Sequence, residues 1–440
     1  MVQLVITHHS ESQTRPAQAD DGGKHAAELD RILCLRGIRS VFQPIVELDT
    51  GRTVAYEALA RGPAGSPLAA PQPLFAAARR LGRLAELDVA CQEAALAGAR
   101  AAGLTDPWTV FVNVEPEAAA AALPLPGGPL AGQWPPARQA GPRVTAELTE
   151  RSLAADPRQL LDLVARVRGR GWGIALDDVG AERASLALLP FVQPDVIKLD
   201  LRLIQGRPSS AVAEVFSAVN AEAERSGAVV LAEGIETAEH MATARALGAT
   251  LGQGWLLGRP SAAPEGAAAP GSDLGGAGPR APRAGSATPF TLAAVLRPPR
   301  LGRKDLLIEI SRHLERQAAQ RGEPVAVLAA FQQAAFFTEG TRRRYTRIAR
   351  QAAFTGVLAY GMPPCPAPGV RGGNLAPADP LVSEWAVAVI GPHFAACLTA
   401  RDLGDTGPDM KRRFEFVLSH NREVAVQAAT TLFARITPAR

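Results

Sequence analysis

The sequence predicts an α/β fold, a TIM-like (β/α)8 barrel followed by a smaller α/β domain. Between residues 39 and 253, short and almost continuous apolar runs alternate with alanine- and leucine-rich stretches that have helical spacing. Such runs are typical of parallel strands buried on both faces, and seven or eight of these units in about 230 residues match a closed barrel. Residues 260–288 are rich in Pro, Gly, Ala and Ser and lack periodicity, which indicates a flexible linker.

The bulk composition narrows the class of protein. The chain has 440 residues, of which 47% are hydrophobic and 20% are charged, as in a soluble globular protein with a large core. Its net charge is +4 and only four of its basic residues are lysines, so we expect no binding to a nucleic-acid polymer or to a membrane. The four cysteines lie far apart, and neither a signal peptide nor a membrane-spanning run is evident, so we expect a soluble cytoplasmic protein.

Four segments follow from these patterns. We expect a disordered N-terminal tail at 1–28, the barrel at 29–262, the flexible linker at 263–288 and a second domain at 289–440. The tail is polar and irregular, whereas both domains have the apolar content and the length that a folded core requires.

The barrel is expected to begin with a hairpin. Residues 40–48 (SVFQPIVEL) and 53–62 (TVAYEALARG) have strand spacing and flank the turn Asp49-Thr50-Gly51. A helical stretch at 73–103, broken near Gly82, comes next. Later strands are expected at 109–114, 143–148, 172–178, 194–200 and 228–234 and at Gln253, with helices starting at Asp156-Pro157 and lying at 211–226 and 237–247.

The second domain has a similar mixed pattern. An amphipathic helix at 303–321, a strand at 325–331 and a basic helix at 341–353 come first. Three further strands (VLAYG, WAVAVIG and FEFVLS) and a closing helix at 422–436 follow. We therefore expect a separate α/β domain.

Oxygen-bearing side chains recur where the barrel strands end. Glu57 lies near the end of the second strand, and later strands end in Asn113, Glu147, Asp177 and Glu233. The carboxyl ends of barrel strands share one rim, so these side chains are expected to converge. A doubly wound open sheet is the alternative fold, but it would not bring so many carboxylates to one point.

Converging carboxylates need cations to stay ionised. A set of Glu, Asp and Asn oxygens without Cys or His suits Mg²⁺ or Mn²⁺. The adjacent Asp177 and Asp178 suit a two-ion site, in which one side chain bridges the ions and the other holds the second ion. Two-ion sites of this kind are typical of enzymes that catalyse displacement at phosphorus.

Four further residues are candidates for the remaining chemistry. Arg61 and Gln43 are candidates for holding a substrate phosphate and a base or ribose. Lys198 is a candidate for orienting or deprotonating the attacking water, and Glu233 for a metal ligand, a general base or both.

The motifs that contain these residues follow one another in a specific order. They are Gln43-Pro44, Glu57-Ala58-Leu59-Ala60-Arg61, Asn113, Glu147-Leu148-Thr149-Glu150, Asp177-Asp178, Lys198, Glu233-Gly234-Ile235-Glu236 and Gln253-Gly254. In order and spacing, over about residues 36–262, they resemble the EAL-domain family, phosphodiesterases that open cyclic di-GMP to linear 5'-pGpG. The resemblance implies an EAL-type barrel and a cyclic-guanylate-specific phosphodiesterase that uses two Mg²⁺ or Mn²⁺ ions and takes cyclic di-GMP as its small-molecule substrate.

The resemblance also implies roles for individual residues. It implies metal ligands at Glu57, Asn113, Glu147, Asp177, Asp178 and Glu233, and catalytic roles at Lys198, Glu233 and Glu57. It implies substrate contacts from Gln43, Arg61 and Gln253, and loop anchoring by Glu150 and Glu236.

One loop departs from the family pattern. After the paired aspartates the family usually has Phe-Gly-Thr-Gly-Tyr, whereas this chain has Val179-Gly180-Ala181-Glu182-Arg183. In the family this loop helps to order the second metal and couples it to dimerisation. The resemblance thus allows a homodimer through the barrel, while activity or its regulation is expected to differ here.

Three short stretches of the second domain carry a further resemblance. They are Arg344-Tyr345, Glu384-Trp385-Ala386-Val387 and the stretch from Arg413-Phe414 to Asn421. Over about residues 288–436 they resemble the DICT domain, a sensory module found beside cyclic di-GMP enzymes. This resemblance implies a signal input whose ligand or partner the sequence does not identify.

Three functions follow from these observations. The complete ligand set favours a metal-dependent cyclic di-GMP phosphodiesterase that is tuned by the C-terminal domain. The altered loop leaves open a catalytically weak receptor that binds the same nucleotide and signals through the DICT-like domain. A protein-interaction regulator that uses the barrel only as a scaffold is the third.

Overall fold

The computed structural model describes residues 20–116, 141–149, 156–262, 287–320 and 322–438. Two β-sheets organise this part of the chain, a closed eight-stranded barrel and a mixed seven-stranded sheet. Residues 1–19 of the predicted tail and most of the predicted linker lie outside the described residues.

Eight strands close the barrel in the order in which they follow along the chain. They are β1 (Arg39–Glu47), β2 (Thr53–Arg61), β3 (Thr109–Asn113), β4 (Arg143–Thr149), β5 (Gly173–Val179), β6 (Val196–Leu199), β7 (Val229–Ala232) and β8 (Leu251–Gly252). β1 is antiparallel to both β2 and β8, and the other neighbouring pairs are parallel. The predicted barrel and its hairpin are confirmed, and the open-sheet alternative is wrong.

Helices cover the outside of the barrel. They are α1 (Asp20–Cys34), α2 (Pro71–Arg80), α3 (Leu84–Ala101), α4 (Pro157–Gly169), α5 (Leu189–Val192), α6 (Leu201–Gln205), α7 (Ser210–Ser226) and α8 (Ala238–Ala246), with a 3₁₀ turn at Arg183–Ala187. The break expected near Gly82 separates α2 from α3, and this glycine has a φ of +66°. Asp156 caps α4 by accepting a hydrogen bond from the backbone N–H of Gln159, as the Asp-Pro pair predicts.

Helix α1 begins inside the segment that the sequence predicts to be a disordered tail. Its Leu29 and Ile32 are buried in an apolar cluster with residues of α2 and α3. The prediction is therefore wrong for residues 20–28. Two glycines lower the helix propensity of this segment, so the helix depends on tertiary packing that its own sequence does not reveal.

The interior of the barrel is filled by apolar side chains that point inward from the strands. They are Ile45, Val54, Ala55, Phe111, Ala175, Val196, Leu231 and Leu251, and all are buried. Small, branched and aromatic side chains together fill the space that an eight-stranded barrel encloses. The barrel is thus a packed core below the ring of polar side chains at its mouth.

The C-terminal domain is built on a second sheet with the strand order β12-β11-β10-β13-β14-β15-β9. Its strands are β9 (Arg300–Arg303), β10 (Ala326–Gln333), β11 (Phe354–Tyr360), β12 (Arg371–Asn374), β13 (Glu384–Ile390), β14 (Ala395–Asp402) and β15 (Arg413–Ser419). Its helices are α9 (Pro289–Leu296), α10 (Lys304–Gln320), α11 (Glu339–Ala349) and α12 (Arg422–Phe433), with 3₁₀ turns at Ala334–Phe336, Pro380–Ser383 and Asp409–Lys411. The predicted α/β domain is confirmed, although β9, β12, β14 and α9 are additions. Of the helices in the described ranges, none is both long and apolar enough to cross a membrane.

The two domains share one cluster of buried apolar side chains. The cluster extends from α4, α5 and α7 of the barrel to α12 and one face of the second sheet. Helix α12 is buried on nearly all sides, as expected for a helix that lies between two layers. The ring of Phe433, its last residue, lies 4.7 Å from the ring of Phe191 in α5 and 5.0 Å from that of Phe354 in β11. The second domain therefore packs directly on the barrel.

A buried carboxylate ties α3 to the chain that follows β3. Asp88 is 3% exposed, and its Oδ1 accepts a hydrogen bond of 3.2 Å from the backbone N–H of Glu115. Its Oδ2 accepts a second hydrogen bond, of 2.7 Å, from Nε2 of Gln92. Burial raises the pKa of Asp88 to about 8.

Replacing Asp88 by Asn is expected to remove a pH dependence of stability. The pKa of this carboxyl rises from 3.8 to about 8 on folding, so the folded state binds the proton more tightly. The stabilising contribution is complete below about pH 4 and is lost as the pH rises towards about 8. Relative to Asp88→Asn, the wild-type free energy of unfolding should fall by up to about 1.4 kcal/mol per pH unit over this interval. Urea denaturation at several pH values measures this difference, and parallel pH profiles of the two proteins would contradict it.

Candidate active site

The polar side chains at the mouth of the barrel continue the inward-facing rows that fill its interior. Residues two apart in a strand face the same side of the sheet. Glu57 thus follows the buried Ala55 in β2, and Lys198 follows Val196 in β6. The same spacing relates Phe111 to Asn113, Ala175 to Asp177, Leu231 to Glu233, and Leu251 to Gln253. The fold therefore directs these side chains to one rim, at the carboxyl ends of the parallel strands.

Lys198 lies at the centre of this ring of side chains, and only 1% of its surface is exposed. Its Nζ is 2.7 Å from Oε1 of Glu147 and 2.8 Å from Oδ1 of Asp177. Oε1 of Glu233 is also 2.8 Å from this nitrogen, and Oε2 of Glu57 is 3.9 Å from it. Four carboxylates from four different parts of the barrel thus surround a single ammonium.

The charges of these groups depend on one another. Burial opposes a charge on Lys198, but the four carboxylates outweigh it and hold the pKa of the ammonium well above its ordinary value. Burial and the neighbouring charge of Glu57 raise the pKa of Glu147 well above its usual range, although Lys198 opposes this. Burial raises the pKa of Glu233 to about 7, again against the effect of Lys198. The site therefore holds more acidic groups than one cation neutralises.

Two glutamines and Glu57 are connected across the seam where the barrel closes. Nε2 of Gln253 donates hydrogen bonds to Oε2 of Glu57, at 2.6 Å, and to Oε1 of Gln43, at 3.1 Å. Nε2 of Gln43 donates to the carbonyl oxygen of Gly258 at 3.1 Å. Gln43 and Glu57 are also direct partners in the antiparallel pairing of β1 with β2. Nδ2 of Asn113 donates a longer hydrogen bond, of 3.4 Å, to Oε1 of Glu57.

The two adjacent aspartates interrupt the alternation of β5. The pairing of β5 with β6 shifts between Leu176 and Val179, and Asp178 has a φ of +59°, which is uncommon for a residue with a side chain. Carboxylate oxygens of Asp177, Asp178 and Glu233 lie within 4.8 Å of one another. The irregular backbone thus lets two consecutive side chains serve the same site.

The donor set fits a hard divalent cation. Its members are carboxylate and amide oxygens, which Mg²⁺ and Mn²⁺ prefer, and none is a Cys or His. Oε2 of Glu147 is buried without a hydrogen bond, whereas Oε1 of Glu147 and Oδ1 of Asp177 face the ammonium of Lys198. Buried acceptors in this state need a compensating cation. The residues able to hold it are Glu57, Asn113, Glu147, Asp177, Asp178 and Glu233.

Two predicted residues, Arg61 and Glu236, lie outside this cluster. Arg61 is half-buried, and burial together with Arg39 lowers its pKa, whereas the charge of Glu57 opposes this. Its Nη1 donates to the carbonyl of the preceding residue at 2.8 Å, and no carboxylate in the described ranges hydrogen-bonds to it. Glu236 is exposed, and its carboxylate contacts no other predicted site residue that the structure describes. Glu150 lies outside the described residues.

Asp88 supports the site but is absent from the sequence prediction. Its hydrogen bond to Glu115 fixes the backbone two residues beyond Asn113. The sequence contains a pattern that could have identified it, because Asp88 lies on the buried face of α3 among Leu84, Leu87 and other apolar residues. A carboxylate on such a face needs a polar partner in the fold.

Family models match both parts of the chain. Residues 26–260 match the model described as EAL domain. Residues 291–403 match the DICT model, described as a sensory domain in diguanylate cyclases and two-component systems. The first match covers more than half of the chain and includes every residue of the buried cluster. The two resemblances read from the sequence are therefore confirmed.

Relatives of the chain include phosphodiesterases. The chain is 37% identical over 123 residues to the cyclic di-GMP phosphodiesterase RocR of Pseudomonas aeruginosa, which covers 27% of this chain and 30% of RocR. It is 30% identical over 220 residues to the probable cyclic di-GMP phosphodiesterase PdeB of Escherichia coli, which covers 49% of this chain and 41% of PdeB. The solved manganese/cy-diGMP complex of Klebsiella pneumoniae BlrP1 is 29% identical, with a TM-score of 0.43, and covers 51% of this chain and 56% of that one. The chain thus spans less than half the length of the two curated relatives.

Replacing Lys198 by Met is expected to destabilise the metal-free protein by about 3–5 kcal/mol, because four carboxylates then face one another without a cation. Added Mn²⁺ should raise the unfolding temperature of this variant more than that of the wild type, because the metal supplies positive charge. Urea unfolding in EDTA and thermal unfolding with and without Mn²⁺ measure the two effects.

The exposed Lys411 provides the control for this prediction. Lys411→Met removes the same charge from the surface of the C-terminal domain and should change neither measurement. If Lys198→Met were as stable as the wild type in EDTA, the buried ammonium would not have the stabilising role described here.

Proposed function

Since the chain belongs to the EAL-domain family, we propose that it is a divalent-metal-dependent phosphodiesterase that hydrolyses cyclic di-GMP to linear 5'-pGpG. The observation that carries the proposal is the buried cluster in which four carboxylates surround Lys198. RocR is named a cyclic di-GMP phosphodiesterase and PdeB a probable one, and both names support this choice of substrate. The four cysteines are free and suit a reducing compartment, so we propose a cytoplasmic location.

Two Mg²⁺ or Mn²⁺ ions are part of this proposal. The side chains that would hold them are Glu57, Asn113, Glu147, Asp177, Asp178 and Glu233. When bound, such ions supply a nucleophilic water at neutral pH and offset the charge that develops at phosphorus. The buried Oε2 of Glu147, which lacks a hydrogen bond, and the excess of carboxylates over the single ammonium of Lys198 support this assignment.

Three residues of the chain have catalytic roles in the proposed reaction. Lys198 donates hydrogen bonds that orient the water towards phosphorus. Glu233, as a metal ligand or as the general base that accepts the proton of the water, lies beside it. Glu57 is held in place by Gln253 and Asn113, so its carboxylate keeps one orientation during the reaction.

Three further residues are proposed to bind the substrate. The guanidinium of Arg61 has no carboxylate hydrogen-bond partner among the described residues, so it is available to a phosphate of the cyclic dinucleotide. Oε1 of Gln253 is buried without a hydrogen bond and is available to a donor on the base or the ribose. Gln43 hydrogen-bonds to Gln253 and would extend the same contact.

A catalytically weak receptor is the second candidate function. The observation that favours it is the segment after Asp178, where the family's aromatic loop is replaced and Arg183 begins a 3₁₀ turn and pairs with Glu214 of α7. A receptor of this kind would bind cyclic di-GMP and signal through the C-terminal domain without turning it over. In both cases we propose that the C-terminal domain communicates with the barrel.

Glu57→Gln is expected to lower the turnover of cyclic di-GMP by at least about a hundredfold. The amide keeps the shape of the side chain but removes the negative charge of a proposed metal ligand. Chromatography of the products that the purified full-length chain forms with Mg²⁺ or Mn²⁺ measures the rate and identifies pGpG. Glu93→Gln, on α3 outside the barrel, is the matched control and should retain the wild-type rate.

Calorimetric binding of cyclic di-GMP separates the two candidate functions. Binding to the wild type without turnover in either metal would favour the receptor. A folded wild-type protein that neither binds nor hydrolyses the nucleotide would contradict both candidates. Arg61→Ala should weaken binding in either case, because it removes the proposed phosphate contact.

A further inference from the structure

We propose that Phe433, the last residue of α12 in the C-terminal domain, is a positioning residue for the metal-binding part of the barrel. The observation behind this inference is the stack of its ring on Phe191 in α5. The inference rests on the proposed function, because it assumes that the positioned segment supports metal binding. It adds the contact through which the second domain reaches that segment.

The positioned part, here called the connecting segment, comprises residues 180–193 between β5 and β6. It follows directly after Asp177 and Asp178, two members of the buried site. It consists mainly of the 3₁₀ turn and α5, and every residue from 185 to 192 is buried. In a segment packed this closely, the backbone follows the side chains that pack against it.

The barrel itself holds the two ends of the connecting segment. A Cβ on Gly180, which has a φ of +98°, would lie 2.7 Å from Leu203 and 2.8 Å from Val215, so the backbone passes close to α6 and α7. At the other end, Nη2 of Arg168 donates a hydrogen bond of 2.8 Å to the carbonyl oxygen of Gln193. Between these anchors, the outward side of the segment contacts the second domain.

The C-terminal domain holds the middle of the segment through aromatic rings. The rings of Phe191 and Phe433 are 4.7 Å apart and nearly parallel, with an angle of 21°. Phe354 of β11 meets Phe433 edge-on at 5.0 Å, so the second sheet fixes the orientation of the stacked ring. Phe191 and Phe433 are 4% and 0% exposed, so the stack lies inside the protein. Phe433 therefore connects the second sheet with the connecting segment.

A buried ion pair attaches the other end of α12 to the barrel. Nη2 of Arg422, the first residue of α12, lies 3.7 Å from Oε2 of Glu222 in α7, and Glu222 is 6% exposed. Arg225 lies 3.0 Å from the same carboxylate and donates a hydrogen bond of 3.0 Å to the carbonyl of Pro392 in the second domain. Helix α12 is thus held against the barrel at its first and its last residue.

These ring contacts lead from β11 through Phe433 to Phe191, and the backbone of the connecting segment joins Phe191 to the paired aspartates. A change in the second domain that moves Phe433 removes support from Phe191 and so from the backbone that follows Asp178. The expected consequence is a change in metal affinity. Nucleotide contacts should be spared, because Gln43, Arg61 and Gln253 belong to β1, β2 and the residue after β8.

Phe433→Ala in the full-length chain tests this inference. In metal-free buffer, amide hydrogen exchange of residues 180–193 should become about three- to tenfold faster, because an aromatic stack that supports them is lost. The dissociation constant for Mn²⁺, measured by calorimetry, should rise by a similar factor. With cyclic di-GMP, the Mn²⁺ concentration for half-maximal turnover should rise, while KM at saturating Mn²⁺ stays at its wild-type value.

Phe337→Ala is the matched control. Phe337 is buried in the C-terminal domain against Phe331 and Tyr345, in the apolar cluster on the other face of the second sheet. Its removal takes the same side chain from the same domain without touching the barrel. Exchange at 180–193 and Mn²⁺ affinity should therefore stay at their wild-type values.

A milder variant keeps the test decisive if Phe433→Ala does not fold. Phe433→Leu retains an apolar side chain but removes the ring stack, and it should change exchange and Mn²⁺ affinity in the same direction by a smaller factor. Unchanged values in a folded Phe433 variant, or equal changes in Phe337→Ala, would overturn the inference. A wild type that binds Mn²⁺ but does not hydrolyse cyclic di-GMP would refute the proposed function, and the exchange and Mn²⁺ data would still decide this inference.

Discussion

The attraction between one buried ammonium and four carboxylates is the interaction on which the rest of the barrel depends. Removing these charges from water is unfavourable, and only close mutual contact offsets that loss. The contacts of Lys198 with Glu147, Asp177 and Glu233, all shorter than 3 Å, require that β4, β5, β6 and the end of β7 keep their register. The apolar interior below the rim strengthens these electrostatic interactions because it excludes water. The register of these strands is therefore required both for the stability of the barrel and for the geometry of the site.

The relation between the two domains is closer than a flexible linker suggests. Helix α12 belongs to the chain of the second domain, yet its apolar surface completes a core that also contains α4, α5 and α7. A second domain joined to the barrel only by a flexible linker would have to bind the barrel transiently in order to act on it. Here side chains of the second sheet, of α12 and of the barrel are in contact, and the proposed communication between the domains would use these contacts.

Much of the barrel and most of the site were predictable because their signals are local. Apolar runs that end in an oxygen-bearing side chain identify both a strand and a rim position, and this holds for Glu57, Asn113 and Asp177. The features that were missed depend on tertiary partners. The Gly-rich β12 and the short β9 have little strand pattern of their own, and they are strands because β11 and β15 offer hydrogen bonds to them. Helix α1 and the stack of Phe433 on Phe191 likewise arise from packing between segments that are distant in the sequence.

The hydrogen bonds of Gln253 to Gln43 and Glu57 join the last strand of the barrel to the first two, across a separation of 210 residues in one case. On the ribosome, Glu57 of β2 emerges long before Gln253, which completes its surroundings. Closing so long a loop is entropically unfavourable, so we expect this seam to form only after the intervening strands have paired. A truncated or half-synthesised chain thus lacks this seam, and the ring of polar side chains at the mouth is complete only in the finished fold.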